Sequence, residues 1–96
     1  MKNLQEMQAT LDRELDISRI LSDQAKASLI QMKKGKSLKE HQSVSQALLI
    51  LVKGKALYEE HERSLSLSIP FDFVDIPAKV THRLTAQEDC SLLLIQ

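Results

Sequence analysis

Few side chains in this sequence could do chemistry, and the three histidines are the first to consider. His41, His61 and His82 are far apart along the chain. On one helix, His41 and His61 would be about 30 Å apart at a rise of 1.5 Å per residue, so they could not share a metal ion. The acidic stretch around His61 lacks the zinc-binding spacing HExxH. We therefore expect no metal site and no cofactor, and we interpret residues 59–62 as a solvated surface.

Cys90 is the single cysteine of the chain. One cysteine excludes an internal disulfide and a CxxC redox site. A nucleophilic cysteine would need a nearby base, and the sequence indicates none. The pattern favours a small, buried apolar side chain at this position.

The segment Gly35-Lys36-Ser37 resembles the end of the phosphate-binding loop GxxxxGK[ST]. The first glycine of that motif would fall at Ile30, and no strand is predicted before the loop. We therefore predict no nucleotide site here. Since no other catalytic constellation is specified, we predict no catalytic residues and expect that the protein is not an enzyme.

A lysine cluster follows the predicted end of the first helix. It could contact phosphate groups or an acidic partner, and it consists of Lys33, Lys34, Lys36 and Lys39. No aromatic residues interleave for base stacking, and 13 basic residues are balanced by 13 acidic ones. A small nucleic-acid-binding regulator that uses this lysine-rich tip is therefore the alternative function.

Length and composition favour one small soluble domain. The chain has 96 residues, no tryptophan and only three aromatic side chains, so its core must be mostly aliphatic. The first residues have no apolar signal core, which predicts a cytoplasmic protein. The apolar run at residues 47–52 is far shorter than the roughly 20 residues that a membrane helix needs, so no membrane contact is expected.

Two long helices are predicted for the first two thirds of the chain. Residues 4–34 place apolar side chains at helical spacing, namely Leu4, Met7, Leu11, Leu15, Leu21, Ala25, Leu29 and Met32. Gly35 is typical of a helix C-terminus, and Ser37 followed by Glu40 fits a capping box for a second helix. That helix is predicted to continue to about Arg63, and the short break favours an antiparallel hairpin.

The last third of the chain has the period of strands. Leu65 and Leu67 alternate with serines, and Pro70 and Pro77 bracket a second alternating segment. Residues 79–84 and 91–95 are also read as strands, although a capping-box match beginning at Thr85 favours a helix for the last segment. The predicted fold class is α+β, a single domain with a helical hairpin (about 4–63) and a small antiparallel β segment (about 64–96); the alternative is mainly α with an extended tail.

The apolar stretch at residues 44–58 carries the functional prediction. Apolar side chains there point in every direction of a helix, so one partner helix cannot cover them all. The predicted self-association or partner interface consists of Leu49, Ile50, Val52, Leu57, Ile17 and Ile20. We predict a small non-enzymatic protein-protein interaction module, such as an adaptor, chaperone, inhibitor or assembly factor. It would bind itself, as a coiled-coil-like homodimer, or another protein through its hairpin.

Overall fold

The protein is almost entirely β-sheet. A computed structural model describes residues 3–7, 14–21 and 25–96. In these ranges one four-residue helix and nine strands are present: α1 (Leu4–Met7), β1 (Leu15–Leu21), β2 (Ala27–Met32), β3 (Ser37–His41), β4 (Ala47–Lys53), β5 (Ala56–Glu60), β6 (Ser64–Leu67), β7 (Phe73–Ile76), β8 (His82–Ala86) and β9 (Cys90–Ile95).

The strands form two antiparallel sheets. The five-stranded sheet has the order β1-β2-β9-β4-β7, and the four-stranded sheet has the order β3-β8-β5-β6. Strand β9, the last along the chain, lies in the middle of the larger sheet between β2 and β4. Antiparallel sheets whose inner faces pack on one another form a sandwich around a shared core.

The core lies between the inner faces of the two sheets. Alternate residues of each strand point inward, as the burial of β4 shows, where Ala47, Leu49 and Leu51 are buried and the residues between them are only half-buried. The same alternation in the other strands adds the buried side chains Tyr58, Leu67, Val74, Ile76, Leu84, Ala86, Cys90 and Leu92. This period of two is the signature of strands.

The predicted first helix is wrong. Among its described residues only Leu4–Met7 is helical, and the rest contains β1 and β2, which pair in an antiparallel register that sets Leu15 opposite Met32. In β2 both faces are buried from Ser28 to Met32, so the apolar pattern has no alternation that would mark a strand. Leu11, which supported the helical spacing, lies outside the described residues.

The predicted second helix is wrong as well, and with it the helical hairpin. Residues 37–60 form β3, β4 and β5. The short apolar run at residues 47–52 is a strand whose inner face lies in the core and whose outer face is half-buried. A short, continuous apolar run is found both in buried strands and in buried helices. Its periodicity therefore does not distinguish the two, and the helix prediction was wrong here.

The signals taken for helix ends belong to turns and strands. Gly35 has a φ of +88° in the turn between β2 and β3, a backbone conformation that glycine C-caps and tight turns share. Ser37 lies within β3, where its Oγ is 3.1 Å from Oγ1 of Thr85 on β8. The capping-box match that begins at Thr85 does not start a helix either, because β8 continues to Ala86 and β9 begins at Cys90.

No helix in the described residues is long and apolar enough to span a membrane. The α+β class and its mainly α alternative are both replaced by an all-β fold. The β segment predicted after Arg63 is present as β6–β9, but these strands are distributed over both sheets rather than forming a separate unit.

Candidate functional site

Polar side chains meet at one end of the four-stranded sheet. Glu60 is the last residue of β5 and lies opposite His82, the first residue of β8. Two residues back along β5, Tyr58 lies on the same inner face. Because side chains alternate between the two faces of a strand, Tyr58, Glu60 and His82 all point toward the space between the sheets, where the apolar core ends.

Glu60 is the centre of a side-chain network. Its Oε2 accepts a hydrogen bond from the Tyr58 hydroxyl and another from Nη2 of Arg63 at 2.9 Å. Arg63 also donates from Nη2 to the backbone carbonyl of Asp75, and its Nη1 is 3.4 Å from Oδ1 of Asp75. The guanidinium is 5.6 Å from the centre of the Tyr58 ring, within the range of a cation–π contact.

His82 is held from two sides and is only 5% exposed. Its ring stacks on the Tyr58 ring with 5.7 Å between centroids. Its Nδ1 is 3.1 Å from the Val80 carbonyl oxygen. Because a carbonyl can only accept, Nδ1 carries the proton, and in the neutral imidazole Nε2 is then the acceptor.

The network fixes the charge state of its acid and its phenol. The hydrogen bond from Arg63 lowers the pKa of Glu60, although burial opposes that shift. Burial raises the pKa of Tyr58, and the neighbouring Glu60 carboxylate adds to the increase. At neutral pH Glu60 is therefore ionised and Tyr58 protonated, which is the pairing that their hydrogen bond requires.

An open pocket of about 380 Å³ lies at this end of the sheet. Its lining contains acidic and basic side chains as well as hydrogen-bond donors and acceptors. The lining residues are Glu59, Glu60, His61, Thr81, His82 and Arg83. Glu59 and Arg83 are opposite one another across β5 and β8. The pocket is thus polar, with two carboxylates and one guanidinium in its lining, and of a size that proteins use for small ligands.

The described residues contain no group of three or more His, Cys, Asp or Glu side chains that could hold a metal ion. His41 does come beside the site, since its backbone lies opposite His82 in the β3–β8 pair. The wide separation of His41 and His61 that one helix would give is therefore wrong, because β3 and β5 both pair with β8.

Cys90 lies in the core, as a buried residue of β9. Burial raises the pKa of its thiol to about 11, and the nearby Asp89 carboxylate adds to the shift. The thiolate needed for nucleophilic attack is therefore scarce at neutral pH.

The six residues predicted as one interface lie in different places. Leu49 is buried in the core, while Leu57 is half-buried on the outer face of the other sheet. Ile50 lies on the outer face of β4, and Val52 is half-buried near its end. The exposed residues Ile17 and Ile20 lie on the edge strand β1. The fold therefore does not join the six into a single surface.

The lysine cluster lies at a turn between strands rather than at a hairpin tip of helices. Lys33, Lys34 and Lys36 are exposed there, and Lys39 is part of β3. Lys36 pairs with Glu14 at 2.9 Å, and the backbone amide of Lys34 donates to Asp89 at 2.8 Å. Because acidic groups already lie in this turn, its charge is partly neutralised.

Sequence reasoning missed every member of the Glu60 network. The pattern is visible only when every second residue is compared, as in a strand. Tyr58 and Glu60 are two residues apart on β5, and His82 precedes Leu84 and Ala86 at the same spacing on β8. A buried histidine at the head of an alternating apolar strand would have indicated an inward-facing site. The helical prediction for β5 placed Glu60 on a solvated surface instead.

Removing the cation of this network should destabilise the protein in a pH-dependent way. Because the folded pKa of Glu60 is lowered, its charge contributes stability that is present above its unfolded pKa, about 4.3, and is lost as pH falls through the folded pKa. We expect Arg63→Met to cost about 1–3 kcal/mol at pH 7 and much less near pH 3, as measured by urea unfolding at both values.

The matched control for this variant is Lys55→Met. Lys55 pairs with Glu88 at 4.0 Å on the exposed surface, and an ion pair of that kind contributes less than about 1 kcal/mol. Equal losses for the two variants, or a loss for Arg63→Met that does not change with pH, would contradict the role assigned to the Glu60 network.

The fold is shared with several solved structures. A cupin superfamily protein from Desulfitobacterium hafniense superposes with a TM-score of 0.78 and 22% identity, covering 91% of this chain and 82% of that one. For a cupin-2 domain containing protein from Shewanella frigidimarina the TM-score is 0.83 at 15% identity, with 99% and 92% covered. TT1209 from Thermus thermophilus gives 0.86 at 15% identity, with 99% and 93% covered.

No protein-family model matches the sequence, and no curated protein is similar to it. At such low identities the structural matches establish the fold and leave activity open. They also overturn the predicted interaction module, because its mechanism required a helical hairpin, and with it the lysine-tipped nucleic-acid alternative. The chain has a cupin-like β-sandwich fold.

Proposed function

We propose that the protein binds a small polar molecule in the pocket at the end of the four-stranded sheet, and that it does so without converting it. The observation that carries the proposal is the convergence of Glu60 and the buried His82 on a pocket of about 380 Å³. Polar groups that are locked in place at a concave surface are the general signature of a ligand site.

The lining indicates the ligand's chemistry. Glu60 accepts both of its network hydrogen bonds at Oε2, and we propose that its other oxygen, Oε1, accepts from a ligand hydroxyl or amine. Thr81 and Arg83 supply donors for a ligand oxygen. Since Arg63 pairs with Glu60 and Arg83 lies opposite Glu59, each carboxylate has a cationic neighbour, and the pocket favours a neutral or zwitterionic molecule that carries both donors and acceptors.

Glu60 and Tyr58 are not suited to act as a general acid or base at neutral pH. A general acid or base works best with a pKa near the operating pH. The pKa of Glu60 is lowered and the pKa of Tyr58 is raised, so each pKa lies further from pH 7 than its ordinary value does. The Cys90 thiol is protonated and buried in the core. We therefore extend the proposal to a non-enzymatic role.

We further propose that the protein acts in the cytoplasm. The support is the free, buried thiol of Cys90, since reducing compartments preserve unpaired cysteines.

The test is a titration of the 15N-labelled protein with probes of the proposed class, namely free serine, glycine and glucose at millimolar concentration. We expect amide shifts that cluster at Glu60, Thr81, His82 and Arg83. Glu60→Gln should weaken the binding of a responding probe at least about tenfold, the cost of losing a charged hydrogen-bond partner.

The matched control is Glu88→Gln, an exposed carboxylate outside the pocket. It should leave the same affinity unchanged. Amide shifts that appear elsewhere, or an affinity that Glu60→Gln does not alter, would overturn the proposal.

A further inference from the structure

A second pocket lies at the opposite end of the sandwich from the proposed ligand site. It has a volume of about 200 Å³, and we call it the lysine pocket. Strand β5 runs between the two ends, because it begins at Ala56 beside the turn at Gly54 and ends at Glu60 in the first pocket. The lysine pocket shares no residue with that site, and its lining consists of Gln31, Met32, Lys33, Lys53, Asp89, Cys90 and Ser91.

Strand register brings the polar residues of the lysine pocket together. Gln31 on β2 lies opposite Ser91 on β9, and Lys53 at the end of β4 lies opposite Ser91 from the other side. Lys33 follows Gln31 by two residues, and Asp89 precedes Ser91 by two. Residues two apart in extended chain share a face, which agrees with all five lining one pocket.

The lysine pocket has a buried polar floor and an exposed charged rim. Gln31 is 5% exposed and Ser91 is 2% exposed, whereas Lys33, Lys53 and Asp89 are exposed. An amide and a hydroxyl carry hydrogen-bond donors, and the ammonium groups of the rim add positive charge. Donors at the base of a cavity with cations around its mouth suit a small anion, because hydrogen bonds assisted by charge are the strong ones.

Lys33 and Lys53 keep their charge available for a ligand. Among the described residues, no ion pair includes either of them, although the neighbouring Lys36 and Lys55 are both paired. They approach the pocket from opposite sides, because β9 lies between β2 and β4. Two strand spacings separate their backbones across the sheet by about 10 Å, a gap that two long side chains can span to contact one ion.

Asp89 gives the lysine pocket a fixed wall. Its Oδ1 accepts a hydrogen bond from the backbone amide of Lys34 at 2.8 Å. Its carbonyl oxygen occupies the space that a Cβ on Gly54 would need, so the turn at Gly54 packs directly against the start of β9. The lining therefore holds two ammonium groups against one carboxylate, in a position set by backbone contacts.

We propose that the lysine pocket binds a phosphate group, either as the free ion or as part of a small phosphate ester. A lysine ammonium binds phosphate as a point charge, whereas the planar carboxylate is matched by the fork of arginine. No arginine is among the described residues that line this pocket. Lys33 and Lys53 hold the anion from two sides, and Gln31 and Ser91 donate to its oxygens from below.

The lysine pocket is not the phosphate-binding loop whose end Gly35-Lys36-Ser37 resembles. Lys36 pairs with Glu14, and the Ser37 hydroxyl is 3.1 Å from that of Thr85. Neither Lys36 nor Ser37 lines the pocket. The anion would contact side chains at the end of a sheet, whereas a phosphate-binding loop surrounds it with backbone amides before a helix.

The first test is a titration of the 15N-labelled full chain with inorganic phosphate, glycerol phosphate and acetate, at constant ionic strength so that screening does not change. We expect saturable amide shifts that cluster at Gln31, Lys33, Lys53 and Ser91, with both phosphates binding more tightly than acetate. The tighter of the two phosphates identifies the free ion or the ester as the ligand. Phosphate titrations that leave these amides unshifted, or acetate binding as tight as that of both phosphates, would overturn the proposal.

The second test removes the two rim charges. Lys33→Gln and Lys53→Gln should each weaken phosphate binding at least about tenfold, the cost of losing a charged hydrogen-bond partner. The control Lys26→Gln removes the same charge at the opposite end of the same sheet, where the backbone of Lys26 pairs with that of Gln96. It should leave the affinity within about twofold. Equal weakening by all three variants would show a response to total charge alone and would overturn the proposal.

Asp89→Asn should act in the opposite direction. The asparagine side-chain oxygen can still accept from the Lys34 amide, while the negative charge beside the anion is removed. We expect phosphate to bind about threefold more tightly, because a like charge at the site is lost. Weaker binding by a variant that keeps the native urea midpoint would overturn the placement of the anion beside Asp89.

Discussion

Gly54→Ala should be among the most destabilising single substitutions in the protein. A Cβ at this position would lie 2.1 Å from the backbone oxygen of Asp89 and 2.7 Å from both Cα and Cβ of Cys90. Those atoms start β9, which cannot shift without disturbing its pairing with β2 and β4. The φ of +89° adds strain for any side chain. Overpacking and backbone strain together cost about 3–5 kcal/mol.

Gly35→Ala separates these two contributions. Gly35 has nearly the same φ, +88°, but a Cβ there would meet nothing within 4 Å. Its cost is therefore backbone strain alone, about 1–2 kcal/mol. Urea unfolding of both variants measures the difference, and similar midpoints would show that the close approach of Gly54 to Asp89 and Cys90 is not present in solution.

Leu51→Asp should prevent folding. Leu51 is fully buried between the two sheets, where an aspartate would find no charged partner among its core neighbours. Burying an unpaired carboxylate and losing the leucine side chain together cost more than about 5 kcal/mol, comparable with the whole stability of a small domain. Far-UV circular dichroism should show loss of the β-sheet spectrum.

Val44→Asp is the matched control for that variant. Val44 precedes β4 and is 90% exposed, so its replacement should change the free energy of unfolding by no more than about 0.5 kcal/mol. A Leu51→Asp protein that folds with the native urea midpoint would show that residue 51 does not lie between the sheets.

The strands of the C-terminal third could be predicted because their turns are marked in the sequence. Pro70 and Pro77 delimit β7, and the alternation of Leu65 and Leu67 with serines gives β6 its period. Proline cannot continue a sheet ladder, so it divides a chain into short strands even without knowledge of the partners.

The first two thirds could not be predicted in this way because local preference and tertiary structure disagree there. Leucine, lysine, glutamate and glutamine favour helices as isolated residues, and they dominate this part of the chain. The connection between β3 and β4 contains neither glycine nor proline. Pairing across the sheets decides the conformation instead, and strand preference depends on that context.

Gly35 and Gly54 were the available evidence for strands. Each has a positive φ between two consecutive strands, β2 and β3 in the first case and β4 and β5 in the second. Two glycines about 20 residues apart are compatible with two helix ends, but also with turns of a sheet. The site followed the fold: Glu60 and His82 come together only once β5 is known to pair with β8.

The central position of β9 has a consequence for how this chain folds. The five-stranded sheet has no contact between β2 and β4 until residues 90–95 enter between them. During synthesis the preceding strands must therefore wait, with apolar surface exposed, until residues 90–95 have emerged. Long-range closure of this kind slows folding and exposes intermediates to aggregation. The rate-limiting event is expected to be the insertion of this one strand.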